Sequence, residues 1–301
     1  MVREPVPSKG NKSDHQTQRP MNQPITSMIQ FKGPDHDVNA YVSRPEFSGK
    51  WPGLILIHEI WGLVPHTKKV ADRFAAEGFA VLAPDLMGSE PELAPIFTPE
   101  NIQAVQSFMR GLPPGKSRDH DFVQKEIEKL PETERGRVGD FVGKVFGGGL
   151  PYESFSSELS AGLEHLKSQE FVNARKIGSL GFCFGGGMSF RLSCTGATQA
   201  CVVFYGPNPD PIELVEKINC PILGIYGGED AGLNASLDKL VAAVVKYEKD
   251  FEMRIYPGAP HGFFNDANLN AYRQKPANES WERTMDFLGR TLKSAPVISP
   301  R

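Results

Sequence analysis

At 301 residues the chain is long enough for one large α/β domain, or for two of ordinary size. Its net charge of -3 is nearly balanced and its charges are interspersed, which argues against a basic nucleic-acid groove or a membrane-binding patch. The apolar runs, such as Leu54–Ile57, are strand-sized, and the polar N-terminus has no signal-peptide core, so the sequence reads as a soluble, cytoplasmic protein.

Residues 1–25 carry little that could be buried and are expected to form a disordered arm. "SMIQF" and "VNAYVSRP" flank the turn-forming "KGPDHD" and read as an antiparallel hairpin. "PGLILIHE" is a continuous apolar run of the kind a strand covered on both faces needs. In the stretch after it, Val70, Phe74 and Ala75 fall at helical spacing and Gly78 makes a stop. "FAVLAPDL", "RKIGSLGF", "ACVVFYGP", "CPILGIYGGED" and "EMRIYPGAPHGF" are further strands. Helices are expected over Ser157–Lys167, Ile212–Lys217, Leu237–Lys249 and Ser280–Leu292. This alternation implies an α/β fold with an open, mostly parallel sheet and helices on both faces. Ligands of such a sheet lie beyond the carboxyl ends of its strands.

Residues 89–150 interrupt the alternation. Thr98-Pro99-Glu100 starts a helix with Ile102, Val105, Met109 and Leu112 on one face. Two more apolar faces follow, with Phe122, Val123, Ile127 and Leu130, and with Val138, Phe141, Val142 and Val145. The segment is expected to be a helical insertion over the strand ends, within a single domain spanning 26–294 and followed by a flexible tail at 295–301.

The chemistry concentrates just after strands. Gly181-Phe182-Cys183-Phe184-Gly185 has the glycine spacing of a nucleophile elbow, with cysteine in place of serine. The following helix N-terminus favours negative charge on a thiolate. Asp230 ends "PILGIYGGED", with Glu229 beside it as an alternative acid, and His261 follows the next strand. The order nucleophile, acid, histidine, each after a successive strand, is that of α/β hydrolases. Backbone amides of Ile60 and Phe184 are the expected oxyanion donors. Cys194, Cys201 and Cys220 sit in apolar surroundings without metal-like spacing and read as buried fillers. Glu59, in "HEIWGL", is a carboxylate that needs either a partner or work.

"HEIWGL", "APDLMG", "GFCFGG", "GGED" and "PHGF" together resemble the dienelactone hydrolase (carboxymethylenebutenolidase) family, from about Met28 to the last helix. The resemblance implies an α/β-hydrolase fold and a Cys183–His261–Asp230 triad that opens a lactone or ester through an acyl-enzyme. It also implies that Glu59 assists thiolate formation; no metal or organic cofactor is implied.

The chain departs from the family pattern where arginines hold a substrate carboxylate. "APDLMGSEPEL" and "HGFFNDANL" contain none, and Arg273 lies further along. A neutral ester or lactone therefore fits better, in a pocket expected to include Trp61, Met87, Phe184, Phe263 and Asn265. Thioester cleavage or acyl transfer at the same site is an alternative, as is a non-catalytic binding or redox-sensing role for Cys183. Oligomeric state is not readable from the sequence.

Overall fold

The computed structural model describes residues 23–113, 116 and 119–293, so most of the expected N-terminal arm and the whole expected tail lie outside the described residues. The expected hairpin is β1 (Ile25–Lys32) and β2 (Asp37–Arg44), paired antiparallel with Lys32 opposite Asp37 at the turn. Then follow β3 (Trp51–Ile57), α1 (Pro65–Ala76) and β4 (Ala80–Pro84). The eight strands form one sheet in the order β1-β2-β4-β3-β5-β6-β7-β8, which also includes β5 (Val172–Phe182), β6 (Ala200–Phe204), β7 (Ile222–Gly227) and β8 (Phe251–Tyr256). Only the β1–β2 and β2–β4 pairs are antiparallel.

Burial explains the strand sequences. Leu54–Ile57 of β3 and all of β4, β6 and β7 are buried. Ordering a residue's backbone costs ~1–2 kcal/mol, and a fully buried large apolar side chain returns ~1.5–3 kcal/mol, so central strands need apolar residues on both faces. The edge strand β1 has no such cover, and Ile25 and Met28 are exposed.

The insertion is helical, as expected. α2 (Leu86–Ser89) leads into it, and it carries α3 (Pro99–Gly111), α4 (His120–Ile127) and α5 (Glu132–Phe146). Thr98 caps α3 by accepting from Asn101 N, and Pro99 occupies the first turn. Val105, Val123, Ile127, Val138, Phe141, Val142 and Val145 join the same apolar cluster as Ile55, Ile57 and Leu82 of the sheet. The insertion is thus packed into the core on one face of the sheet.

The remaining helices are α6 (Tyr152–Lys167), α7 (Phe184–Ser193), α8 (Ala231–Asn234), α9 (Leu237–Lys246) and α10 (Gln274–Leu288). Several boundaries differ from expectation. α6 begins five residues before Ser157, because Pro151 takes the N-cap position and starts the helix at Tyr152. Residues Ile212–Lys217 form a 3₁₀ segment rather than an α-helix, and α9 stops before Glu248, whose φ is 52°. α10 starts at Gln274 because its first turn tolerates Pro276.

Candidate functional site

The end of β5 turns directly into α7 through Cys183, whose φ of 55° and ψ of -118° place a non-glycine residue in a sparsely populated conformation. Two glycines make this corner possible. A Cβ on Gly181 would lie 1.9 Å from Gly185 O, and one on Gly185 would lie 2.3 Å from Ile57 O and 2.5 Å from His58 O. The corner is held from outside by Cys183 N donating to Phe204 O at 2.9 Å. Its carbonyl already accepts from Gly186 N and Gly187 N. Cys183 keeps partial exposure, whereas Cys194, Cys201 and Cys220 are buried. Burial pushes the Cys201 thiol up to about 12 and the Cys194 thiol up to about 11, so neither supplies a thiolate at neutral pH.

His261 stands after β8, and its Nδ1 lies 2.5 Å from Oδ2 of Asp230, whose side chain is fully buried at the end of β7. Glu229 is exposed, so the structure pairs Asp230, not its neighbour, with the histidine. Burial alone would lower the His261 imidazolium. The charge on Cys183 and the hydrogen bonds to Asp230 and Cys183 outweigh it and raise the group to about 10. His261 and Asp230 are thus held together, and the imidazole feels the charge of Cys183.

Glu59 follows β3 and is buried, with Oε2 accepting from Asn265 Nδ2 at 2.5 Å and Oε1 accepting from Tyr205 Oη at 3.4 Å. Among the described residues no hydrogen bond joins Glu59 to Cys183 directly. Asn265 was expected in the substrate pocket. Its amide is committed to Glu59 and its Oδ1 accepts from Ala267 N, so it faces the protein rather than a ligand.

The loop around Glu59 is fixed at a second point. His58 is fully buried, its Nε2 accepts from Leu86 N at 3.2 Å, and its Nδ1 therefore carries the proton donated to Glu59 O at 2.6 Å. Desolvation lowers its pKa and keeps the ring neutral. The ring stacks on Phe184 at 5.9 Å, joining the loop to the elbow. Phe184 N–H is the first of α7 and has no acceptor within its own helix. Ile60 lies in the turn closed by Gly62 N donating to Glu59 O at 3.2 Å.

The other expected pocket residues divide. Trp61 is partly buried and stacks on Phe141 of α5 at 5.8 Å, which ties the insertion to the Glu59 loop. Met87 and Phe263 have no exposed surface and are corrected to core residues. Met87 is enclosed at the start of the insertion, and Phe263 is packed between Tyr205 and Tyr256.

Three contributors were missed. Tyr205 directly follows β6 with a φ of 37°, is fully buried, and sets its ring 5.1 Å from that of His261. His58 carries the loop contacts described above. Tyr152, at the start of α6, is exposed, lies 6.0 Å from the Phe184 ring, and feels the charge of Cys183. In the sequence Tyr205 reads as one more apolar strand residue and His58 as half of a dipeptide. Only the positive φ and the long-range contacts distinguish them.

Comparison with known proteins places the chain in a family. The family model "Dienelactone hydrolase family" matches residues 38–292. A candidate carboxymethylenebutenolidase of Saccharolobus solfataricus is 37% identical over 256 residues, covering 85% of this chain and 95% of that protein. The crystal structure of a candidate dienelactone hydrolase from Klebsiella pneumoniae superposes with a TM-score of 0.68 at 20% identity, covering 89% of this chain and 100% of the other. A metagenomic dienelactone hydrolase-like promiscuous phosphotriesterase gives 0.64 at 19% identity, covering 89% and 99%. At these identities the two structures speak for the fold alone. Among the described residues no helix is long and apolar enough to cross a membrane.

Proposed function

Because the chain belongs to the dienelactone hydrolase family, and is a hydrolase of that kind, we propose that it cleaves a carboxylic ester or lactone through an acyl-enzyme on Cys183. The observation that carries this reading is the 2.5 Å contact between His261 Nδ1 and the buried Asp230, beside a partly exposed Cys183 held at the strained strand–helix corner.

In the proposed reaction the Cys183 thiolate adds to the substrate carbonyl, whose π electrons move onto oxygen. The amides of Ile60 and Phe184 donate to that oxyanion. When the intermediate collapses the C–O bond breaks, and the imidazolium of His261 gives its proton to the departing alkoxide. Neutral His261 then takes one proton from water as the oxygen adds to the thioester carbonyl. Collapse breaks the C–S bond, restores the thiolate beside the imidazolium, and releases a carboxylic acid that gives its remaining proton to solvent. Asp230 accepts from Nδ1 throughout, which fixes the tautomer and stabilises the imidazolium.

Glu59 acts in this scheme as a positioning residue. Its bonds to Asn265 and Tyr205, with the His58 contacts, hold the turn that carries Ile60. A neutral substrate is favoured because "APDLMGSEPEL" and "HGFFNDANL" supply no arginine to hold a carboxylate.

The test is hydrolysis of short-chain p-nitrophenyl esters by the wild type and by Cys183→Ala. Turnover by the wild type that falls by orders of magnitude in the variant supports the reading. Equal rates in the two proteins would remove Cys183 from the chemistry.

A further inference from the structure

We propose that His36, Glu90 and Glu158 form a site for one divalent first-row transition ion of the zinc type, separate from the catalytic corner. One ligand atom from each residue lies within 4.8 Å of the other two. The three come from different places in the fold. His36 is in the β1–β2 turn, Glu90 caps the C-terminus of α2 at the entry to the insertion, and Glu158 lies on α6 just after its exit.

The independent sign of a ligand is Glu158 itself. Its side chain has no exposed surface, and its Oε2 has no hydrogen-bond partner. A buried carboxylate oxygen left in that state carries a full desolvation penalty. His36 Nε2 is also buried without a hydrogen bond, 3.4 Å from Glu158 Oε1. The Ser154 hydroxyl lies 3.0 Å from Glu158 Oε1 and 3.1 Å from Glu90 Oε2. It has one proton, so it cannot donate to both carboxylates at once. Asp35 adds to the negative field at Glu158, and among the described residues no lysine or arginine forms an ion pair with Glu90 or Glu158. Within the cluster only a protonated His36 can offset the two carboxylates, and a bound cation would supply the further positive charge and accept the lone pair of Glu158 Oε2.

The spacing suits such an ion. Ligand bonds of ~2.1 Å around a tetrahedral zinc give ligand–ligand edges of roughly 3.4 Å. The edge from His36 Nε2 to Glu158 Oε1 is 3.4 Å, and the three-residue set, whose ligand atoms lie within 4.8 Å of one another, would draw in around the ion. One imidazole nitrogen with carboxylate oxygens is a donor set for zinc, manganese or iron(II) rather than for copper(I), and three protein ligands leave a fourth position for water. The backbone of His36 is set in advance, its carbonyl accepting from Gly33 N at 3.0 Å. Ligation would tie both ends of the insertion to the β1–β2 turn.

The experiment uses chelator-treated full-length Cys183→Ala, so that the thiol at the elbow cannot hold the ion. It is titrated with Zn²⁺ by calorimetry and with Co²⁺ by visible spectroscopy. One equivalent should bind, the Co²⁺ spectrum should lack thiolate charge transfer, and Zn²⁺ should raise the unfolding temperature. Adding His36→Ala or, separately, Glu158→Gln should weaken binding by more than the ~10–100-fold typical of outer-shell losses, and should abolish the thermal shift. Circular dichroism and cooperative unfolding verify that each variant is folded. His36→Ala, at a turn, is the variant less able to disturb packing. Absence of stoichiometric binding in Cys183→Ala overturns the proposal, and so does undiminished affinity in either folded variant.

Discussion

Asn265 holds Glu59, with the side-chain amide on a loop after β8 donating at 2.5 Å to a carboxylate on the loop after β3. The two residues are far apart in the chain, and their bond crosses the carboxyl edge of the sheet beside the elbow. Tyr205 reaches the other oxygen of the same carboxylate from the end of β6. The loop that carries Ile60 is therefore held by side chains from two other strand ends.

That relationship ranks two substitutions. Asn265→Ala removes a hydrogen bond to a charged group, of the kind that contributes ~1.5–3 kcal/mol, and should lower kcat by about tenfold or more with little change in KM. Tyr205→Phe removes the longer, weaker bond and should have the smaller effect. Steady-state kinetics with one ester tests the order. Unchanged kcat in Asn265→Ala would mean that the Glu59 loop needs no such support.

The pH behaviour of His261 follows from its neighbours. Its pKa stands above the ordinary 6.5, at about 10, so the fold binds a proton that the unfolded chain releases. This contribution to stability is complete below about 6.5 and disappears as pH rises through about 10. The charge on Cys183 is the largest influence raising it, so Cys183→Ala should move the His261 midpoint down, as followed by NMR of the imidazole. Identical midpoints in the two proteins would show that the pair is not coupled.

Two glycine substitutions should move stability in opposite directions. In Gly185→Ala the new methyl meets backbone oxygens at 2.3 and 2.5 Å, which no rotamer change relieves. Denaturant unfolding should show a loss beyond the ~0.5–3 kcal/mol of an ordinary substitution, or no folding at all. Gly136 lies within α5 with nothing near its Cβ position, and Gly136→Ala should stabilise the protein by ~0.5–1 kcal/mol. A harmless Gly185→Ala would contradict the close packing of the elbow against the Glu59 loop.

Much of this architecture is legible in the residues. The runs at Leu54–Ile57 and Ile222–Tyr226 read as buried strands because they are apolar on both faces, and the thiol, acid and imidazole follow their strands in order. Contacts between distant segments are not legible. Nothing local in "VVFYGP" says that Tyr205 adopts a positive φ and turns to Glu59, and nothing in "APDLMG" says that Met87 is fully enclosed. Phe263 and Asn265 follow the histidine closely enough to read as pocket residues, yet one is packed on Tyr205 and the other is spent on Glu59. Adjacency in sequence does not decide which way a loop side chain faces.

The central claim is a covalent intermediate on Cys183, and the most direct measurement is mass spectrometry of enzyme quenched during turnover of an activated ester. A mass increase of one acyl group is expected, located by proteolysis to the peptide containing Cys183 and absent from Cys183→Ala. An acyl group on a different residue, or a pre-steady-state burst of alcohol with no acylated protein, would contradict it.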